Sequence, residues 1–413
     1  MTQNKDKYKI CIIGLGYVGL PLAARFSLKG FDVMGFYINQ DRVTELKNSV
    51  DRNNDMDISD INSLLSSCKL SSNADDLSDR NIFIVTVPTP INADKTPDLE
   101  PIISSSELVG KYISKGSIVI YESTVYPGVT DDVCTPILEK ESGLVFNVDF
   151  FTGYSPERIV PGDKVNTIEK IKKVVSGSNQ KALDAVTYLY SSIIDAGIHQ
   201  APSIKIAEAS KVTENIQRDV NIALINELHQ MYTLLGIDTN EVIEAASTKW
   251  NFMKLKPGMV GGHCIGIDPY YLMHKSKMSG YSPDLMIKAR EINEGMCEWV
   301  ISSFLKFVEQ NHIDLNTIKV TLLGYTFKEN CSDARNTKVK DLLISLNDLG
   351  INIALWDPFL SNSEQNTLNS LGIEIHKEEP INIELAFVCV YHDLILDLLS
   401  RHNGYVFDFR RFH

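Results

Sequence analysis

Apolar and polar positions alternate between two periods along this chain. Residues 8–14 (YKICIIG) form a short apolar run that ends in glycine. An amphipathic segment, 17–29, follows it, and residues 30–36 return to an apolar run. Such a run, a helical period and a second run predict strand, helix, strand, the opening of a parallel sheet. Further strands are expected at 81–87 (NIFIVTV), 117–122 (SIVIYE) and 147–152 (NVDFFT). Pro202 then precedes a long helical pattern over 203–235, closed by Gly236. Val212, Ile216, Val220, Ala223, Leu224, Leu228 and Met231 recur at helical spacing within it. At 1.5 Å per residue such a helix is about 50 Å long, longer than a small domain is wide. The expected role is a spine between domains and a dimer contact, and the competing reading is two shorter helices with a break.

A second sheet starts near residue 318. Residues 318–324 (IKVTLLG) read as a strand ending in glycine, 336–349 as a helix and 350–357 as the next strand. Gly350 stands seven residues before Asp357, as Gly30 stands seven before Tyr37. The expected class is α/β, with two Rossmann-like doubly wound sheet domains joined by a long central helix. The expected boundaries are 1–200 for the N-terminal domain, 201–300 for a helical middle and 301–413 for the C-terminal domain. A cleft between two such sheets is where a cofactor and a second nucleotide could meet.

Composition narrows the partners. Of 413 residues, 53 are acidic and 40 basic, for a net charge of -13, which disfavours nucleic acid. No apolar stretch is long enough to span a membrane, and the first residues lack the apolar run of a secretory signal. Seven cysteines at irregular spacing, without a C-x-x-C, suggest neither a disulfide framework nor a zinc site. Reduced thiols and a cytoplasmic location are the expectation.

Gly14, Gly16 and Gly19 form G-x-G-x-x-G directly after a strand and before a helix. Gly14 permits the tight turn, Gly16 lets a pyrophosphate approach the backbone, and Gly19 allows close helix–strand packing. The helix N-terminus adds unpaired N–H groups and partial positive charge. The second strand should then end in a carboxylate for the ribose of NAD, but Tyr37 stands there. A phenol offers no bidentate charged acceptor. Asn39 and Asp41 are near enough to compensate, and Arg42 to reach the adenosine end. NAD remains the expected cofactor, bound more weakly than by a Tyr37→Asp variant.

Residues 257–269 (PGMVGGHCIGIDP) set Cys264 among glycines, a poor setting for core packing and a good one for close approach to a ligand. Asp268, four residues on, can position a water or a proton. His263 raises a Cys–His dyad, but adjacent side chains normally point apart. Metal binding by His263, Cys264 and Asp268 lacks a second cluster to complete it. Lys211 and Asn215 share a helix face and can direct an ammonium and an amide at one oxygen. Thr124, and Glu157 with Arg158, follow predicted strand ends.

Seven collinear segments resemble the UDP-glucose/GDP-mannose dehydrogenase family over essentially the whole chain. They are GLGYVGLPLA (14–23), PTP (88–90), ESTVYPG (122–128), GYSPERIVPGDK (153–164), KVTENIQRDVNIALINEL (211–228), VGGHCIGIDPYYL (260–272) and GYTFKENCSDARNTKV (324–339). The wording is most similar to the branch acting on UDP-N-acetylglucosamine or UDP-N-acetylgalactosamine. The resemblance implies a four-electron oxidation of the sugar C6 alcohol to a carboxylate, with no metal. It implies Cys264 as nucleophile, Lys211 and Asn215 at the oxyanion, and Thr124, Glu157 and Asp268 for water and protons. It implies NAD contacts from Gly14, Gly16, Tyr17, Val18, Gly19, Tyr37, Arg42, Pro88, Thr89, Thr124 and Arg335. For the sugar nucleotide it implies Glu157, Arg158, Ile159, Lys211, Asn215, Lys328 and residues 252–262, among them Phe252, Gly258 and Gly261. The family carries an acidic residue where this chain has Tyr37, and the ending FDFRRFH (407–413) departs from its usual one and suggests no role. Other readings are UDP-N-acetylmannosamine, UDP-glucose or GDP-mannose as substrate, a nucleotide-sugar-binding protein without turnover, and a two-electron dehydrogenase.

Overall fold

A computed structural model describes residues 5–51, 58–159, 167–262 and 264–411. The chain divides into two compact units. One comprises Met1–Glu214 and Tyr270–Tyr281, the other Asn215–Pro269 and Ser282–His413.

The first unit is built on an eight-stranded sheet. Its strands are β1 (Lys9–Ile13), β2 (Asp32–Phe36), β3 (Cys68–Ser71), β4 (Ile82–Val85), β5 (Ile118–Tyr121), β6 (Phe151–Tyr154), β7 (Lys173–Gly177) and β8 (Ile198–Gln200). They lie in the order β3-β2-β1-β4-β5-β6-β7-β8. All neighbours are parallel except β6 and β7. β4 (IFIV) and β5 (IVIY) are buried at every position. That is why they read as unbroken apolar runs, since a parallel strand covered on both faces has no polar side. The strand expected at 147–152 begins later, at Phe151. Asn147 adopts φ 60°, and its N–H bonds Phe150 O at 2.9 Å, so a turn occupies the first part of that run. The order reverses between β1 and β4, and their carboxyl ends open the crevice where doubly wound sheets bind ligands.

The second unit carries β9 (Val320–Leu323), β10 (Ile353–Trp356), β11 (Glu374–Ile375), β12 (Leu385–Val388) and β13 (Tyr405–Phe407). Their order is β11-β10-β9-β12-β13, and every pair is parallel. Phe304, Phe387 and Phe407 pack at ring separations of 4.8 to 5.3 Å at the centre of its core. The two sheets thus repeat one plan, with one informative difference at the end of the second strand. Asp357, the counterpart of Tyr37, turns inward and accepts the N–H groups of Tyr325 and Thr326 at 2.6 and 3.0 Å. These are the turn amides that a phosphate would need, so the second sheet has closed its own version of the cradle. His392 joins the same carboxylate through Nε2 at 3.1 Å, while its Nδ1 accepts the Asn330 N–H at 2.8 Å.

The long helix is unbroken, Ile204–Leu235, and Gly236 ends it at φ +70°. At 1.5 Å per residue it runs about 48 Å. The chain passes from the first unit to the second within it, between Glu214 and Asn215. Among the described residues, no helix is long and apolar enough to cross a membrane.

Candidate active site

In the first unit the glycine turn has the shape expected of a phosphate cradle. Gly14 sits at φ +100°, which disfavours a side chain. A Cβ on Gly19 would strike Gly14 O at 1.9 Å, whereas one on Gly16 would meet nothing within 4 Å. Two of the glycines are thus demanded by packing, and Gly16 leaves open space for a ligand. The helix Gly19–Leu28 starts at Val18 with no side-chain cap, as a helix end that receives a ligand requires. These features fit the pyrophosphate of NAD.

Tyr37 follows β2, half-buried against the core, and its N–H bonds Ser71 O. Asn39 is committed to capping the next helix through the Arg42 N–H at 3.1 Å. Asp41 is exposed. Arg42 is buried, its guanidinium 2.6 Å from Asp51 and 3.5 Å from Leu15 O. Tyr37, Ile38 and Asn39, the three residues that follow β2, include no carboxylate.

The carboxyl ends of β4 and β5 supply the next pieces. Pro88 is exposed and Thr89 half-buried after β4, and Thr124 is half-buried after β5. The turn beyond Thr124 is held from the long helix. Glu208, fully buried, accepts the N–H groups of Gly128 and Thr130 at 2.6 and 2.9 Å. Burial pushes its carboxyl up to about 7, against the pull of those two amides. Glu208 precedes Lys211 by three residues, so one helical turn carries both this clamp and the buried ammonium.

Glu157 is buried after β6. Its Oε1 accepts the N–H groups of Arg158 and Ile159. Lys173 Nζ lies 3.6 Å from its Oε2, and also 2.7 Å from Glu122. Arg158 is engaged by Glu214, with Nε–Oε2 at 3.1 Å, and by Lys172 O at 2.9 Å. Ile159 packs against the core.

In the second unit the glycine loop is fixed at several points. Asn226 Oδ1 accepts the Gly258 N–H at 2.9 Å, and its Nδ2 donates to Gly258 O at 3.0 Å. Asn226 also bonds Asn293, which bonds Asp219, and Asp219 pairs with Arg290 at 2.7 Å. A Cβ on Gly261 would lie 2.8 Å from Asn336 O, and Gly262 adopts φ +81° against Phe327. The loop then turns into the helix Asp268–Met278, where the Asp268 N–H bonds Cys264 O at 2.9 Å. Asp268 is buried and accepts a hydrogen bond from the Asn215 amide. His263, with its suggested dyad, lies outside the described residues.

Cys264 is half-buried, as is Cys297, and the other five cysteines are buried. Burial pushes the thiols of Cys68 and Cys134 up to about 12 and that of Cys297 to about 11. Cys11 and Cys389 are raised further by the same cause. These five are unsuited to nucleophilic work at neutral pH. Among the described residues no group of three or more His, Cys, Asp or Glu side chains could hold a metal ion.

A cavity of about 390 Å³ opens in this unit beside Gly258, Gly261, Lys328, Lys338, Phe409 and Arg410. Phe252 is exposed nearby in sequence, and Arg335 is exposed and paired with Asp333 at 2.8 Å. The ending 407–413, to which the sequence suggested no role, supplies Phe409 and Arg410 to the cavity. Arg410 lies over the Tyr391 ring at 3.7 Å and bonds Asp408 at 3.1 Å. The signal was its position just past β13, at the carboxyl edge of a parallel sheet. Glu122, Lys173 and Glu208 also escaped the sequence reading, because carboxylates and ammonium groups are ordinarily surface residues.

Three family models cover the chain in order. The UDP-glucose/GDP-mannose dehydrogenase NAD-binding domain matches residues 8–194, the central domain 205–295 and the UDP-binding domain 321–413. A UDP-N-acetyl-D-glucosamine 6-dehydrogenase of Pseudomonas aeruginosa is 51% identical over 365 residues, 88% of this chain and 86% of the relative. Protein CapL of Staphylococcus aureus is 46% identical over 397 residues, 96% of this chain and 92% of CapL. The solved structure of a UDP-D-ManNAc dehydrogenase from Pyrococcus horikoshii superposes with a TM-score of 0.82 at 28% identity, covering 93% of this chain and 89% of the other. With a phosphate cradle fit for NAD, a cysteine on a glycine loop and these matches end to end, the chain belongs to the UDP-glucose/GDP-mannose dehydrogenase family.

Proposed function

We propose that this NAD-dependent dehydrogenase oxidises the C6 alcohol of UDP-N-acetylglucosamine, or of its C4 epimer UDP-N-acetylgalactosamine, to the carboxylate. The observation that carries the reading is Cys264, half-buried at the entry to a helix and four residues from a buried, hydrogen-bonded Asp268. The Pseudomonas aeruginosa relative, named for this sugar, supports the choice of substrate.

NAD+ held at Gly14, Gly16 and Gly19 supplies a hydride acceptor for each two-electron oxidation, two equivalents per sugar. Tyr17, Val18, Tyr37, Arg42, Pro88, Thr89, Thr124 and Arg335 complete that site in this reading. The thiolate of Cys264 adds to the C6 aldehyde, so the first product is retained as a thiohemiacetal. The second oxidation leaves a thioester on the same sulfur. Water then attacks the acyl carbon, Glu157 takes its proton, and the C–S bond breaks to return the thiolate. Lys211 places positive charge at the oxygen that becomes anionic in each addition, and one such donor is worth about 3 to 4 kcal/mol. Asn215 holds Asp268, and Thr124 orients the water. Lys328 and Arg410 bring cationic side chains to the cavity where the UDP diphosphate binds, with Gly258 and Gly261 allowing close approach. Arg158, Ile159 and Phe252 border the sugar. The product suits a transferase that builds surface polysaccharide in the cytoplasm.

Counting NADH per sugar with the two epimers side by side tests the scheme. Two NADH and one uronate are expected from the true substrate. One NADH with aldehyde released, or tight binding with no NADH, would overturn it.

A further inference from the structure

We propose that Glu122 and Lys173 form a buried charge pair that tunes Glu157 as proton acceptor, making both of them positioning residues for thioester hydrolysis. This rests on the reading of Glu157 given above. Three strands bring the groups together, since Glu122 follows β5, Glu157 follows β6 and Lys173 begins β7. The side chains are 0%, 8% and 4% exposed. Lys173 Nζ is 2.7 Å from Glu122 Oε2 and 3.6 Å from Glu157 Oε2. Tyr190, from the helix Gln180–Ser191, donates its hydroxyl to Glu122 Oε1, so both oxygens of Glu122 are engaged. Glu157 Oε2, by contrast, is buried without a hydrogen-bond partner. It is the oxygen left to receive a proton. Arg158, next in the chain, pairs with Glu214.

Charge counting gives the pair a function. Two carboxylates and one ammonium carry a net charge of -1, and a proton brings the cluster to zero. Burial makes the charged state costly, so the cluster gains from accepting a proton. Glu122 holds most of the attraction of Lys173, since it is the nearer carboxylate. Glu157, at 3.6 Å, keeps the weaker share of that attraction. Burial pushes the Glu122 carboxyl up to about 7, with Lys173 pulling it down and Glu157 pushing it up. Burial draws the Lys173 ammonium down, and the two carboxylates outweigh it and hold it above its ordinary value. In the step itself a water O–H bond breaks, its oxygen bonds the acyl carbon, and its proton passes to Glu157 Oε2. The C–S electron pair returns to Cys264, and the proton later leaves to solvent.

The pair makes opposite predictions for its two members. Glu122→Gln removes the competing anion, so Lys173 stabilises the Glu157 carboxylate and the acidic limb of hydrolysis moves down by about one pH unit. Lys173→Met removes the cation and moves the limb up by about as much. Tyr190→Phe takes a donor from Glu122 and gives a smaller downward shift. The experiment is rapid-quench measurement of uronate release across pH 5 to 10, on the full-length protein with NAD+ and UDP-N-acetylglucosamine. Thermal unfolding checks each variant's fold, and Tyr190→Phe serves if Glu122→Gln does not fold. Opposite shifts are the expected result. If Glu157→Gln stops uronate release while the Glu122 and Tyr190 variants keep the parent pH profile, the pairing is wrong and the base stands. If Glu157→Gln releases uronate normally, the underlying assignment of the base is wrong.

Discussion

At position 264 a thiol stands where packing alone would not place one. Five of the other six cysteines are raised by burial and are chemically quiet. Cys264→Ser is expected to reduce uronate formation by at least a thousandfold while UDP-sugar binding measured by calorimetry persists. Normal uronate output would disprove covalent catalysis. Lys211 offers a second test at this scale. It is buried on the long helix, where a solvated role is excluded by its 8% exposure. In the proposed scheme its charge acts on an oxygen that becomes anionic only during reaction, so Lys211→Ala should lower kcat by about 100-fold or more with little change in KM. A change in KM alone would assign it to binding. Tyr37 gives the third. Asn39 is spent on a helix cap, and the residues that follow β2, Tyr37, Ile38 and Asn39, carry no carboxylate. Tyr37→Asp is expected to tighten NAD+ severalfold by fluorescence titration, and unchanged or weaker binding would show that the phenol suffices.

Elements decide whether these residues hold their places. Residues 258–262 have no regular structure of their own, and Asn226 stands in for a strand partner by bonding both the N–H and the C=O of Gly258. Asn226→Ala strands those groups and is expected to cost about 1 to 3 kcal/mol in urea unfolding, with a larger relative loss of turnover. Glu208 does similar work for the turn after Thr124. Its carboxyl lies above its ordinary value of 4.5, up to about 7, chiefly by burial. The folded chain therefore holds a proton there that the unfolded chain has released. Stability from this group is full below its unfolded value and is lost as pH rises through about 7. Glu122 is raised by the same cause and adds to the trend. The melting temperature should fall between pH 5 and 8, and Glu208→Gln should flatten that fall. A melting curve of the variant with the parent's pH dependence would remove Glu208 from the account.

For the whole molecule, the long helix leaves Leu224, Met231, Leu234 and Leu235 between 44% and 82% exposed. Their spacing gathers them toward one side, as a self-association surface requires. A homodimer is the assembly proposed for this chain, and a Met231→Asp, Leu235→Asp variant should shift the mass in light scattering toward one chain. An unshifted dimer would place the contact elsewhere.

The two sheets and the unbroken helix were readable in advance because their signals are local. Apolar runs such as IFIV and IVIY fill strands buried on both faces, and the period over 203–235 matches Ile204–Leu235 within a residue. The glycine turn and Cys264 stood out for the same reason, since short spacing carries their meaning. The turn at 147–150 was misread because an Asn at φ 60° leaves no mark on hydrophobic pattern. Nor was any long-range polar pairing legible. Lys173 and Glu122 are 51 residues apart, Gly128 and Glu208 are 80 apart, and Arg410 reaches its cavity from the last turn of the chain. The sequence by itself determined the family of sheets and the helix that runs between units, both set by neighbours along the chain. Which carboxylates are buried, what charge faces them and which loop each one clamps were decided only when distant strands came together. Desolvation and Coulomb energy depend on distance in space, and the order of residues does not encode it one position at a time.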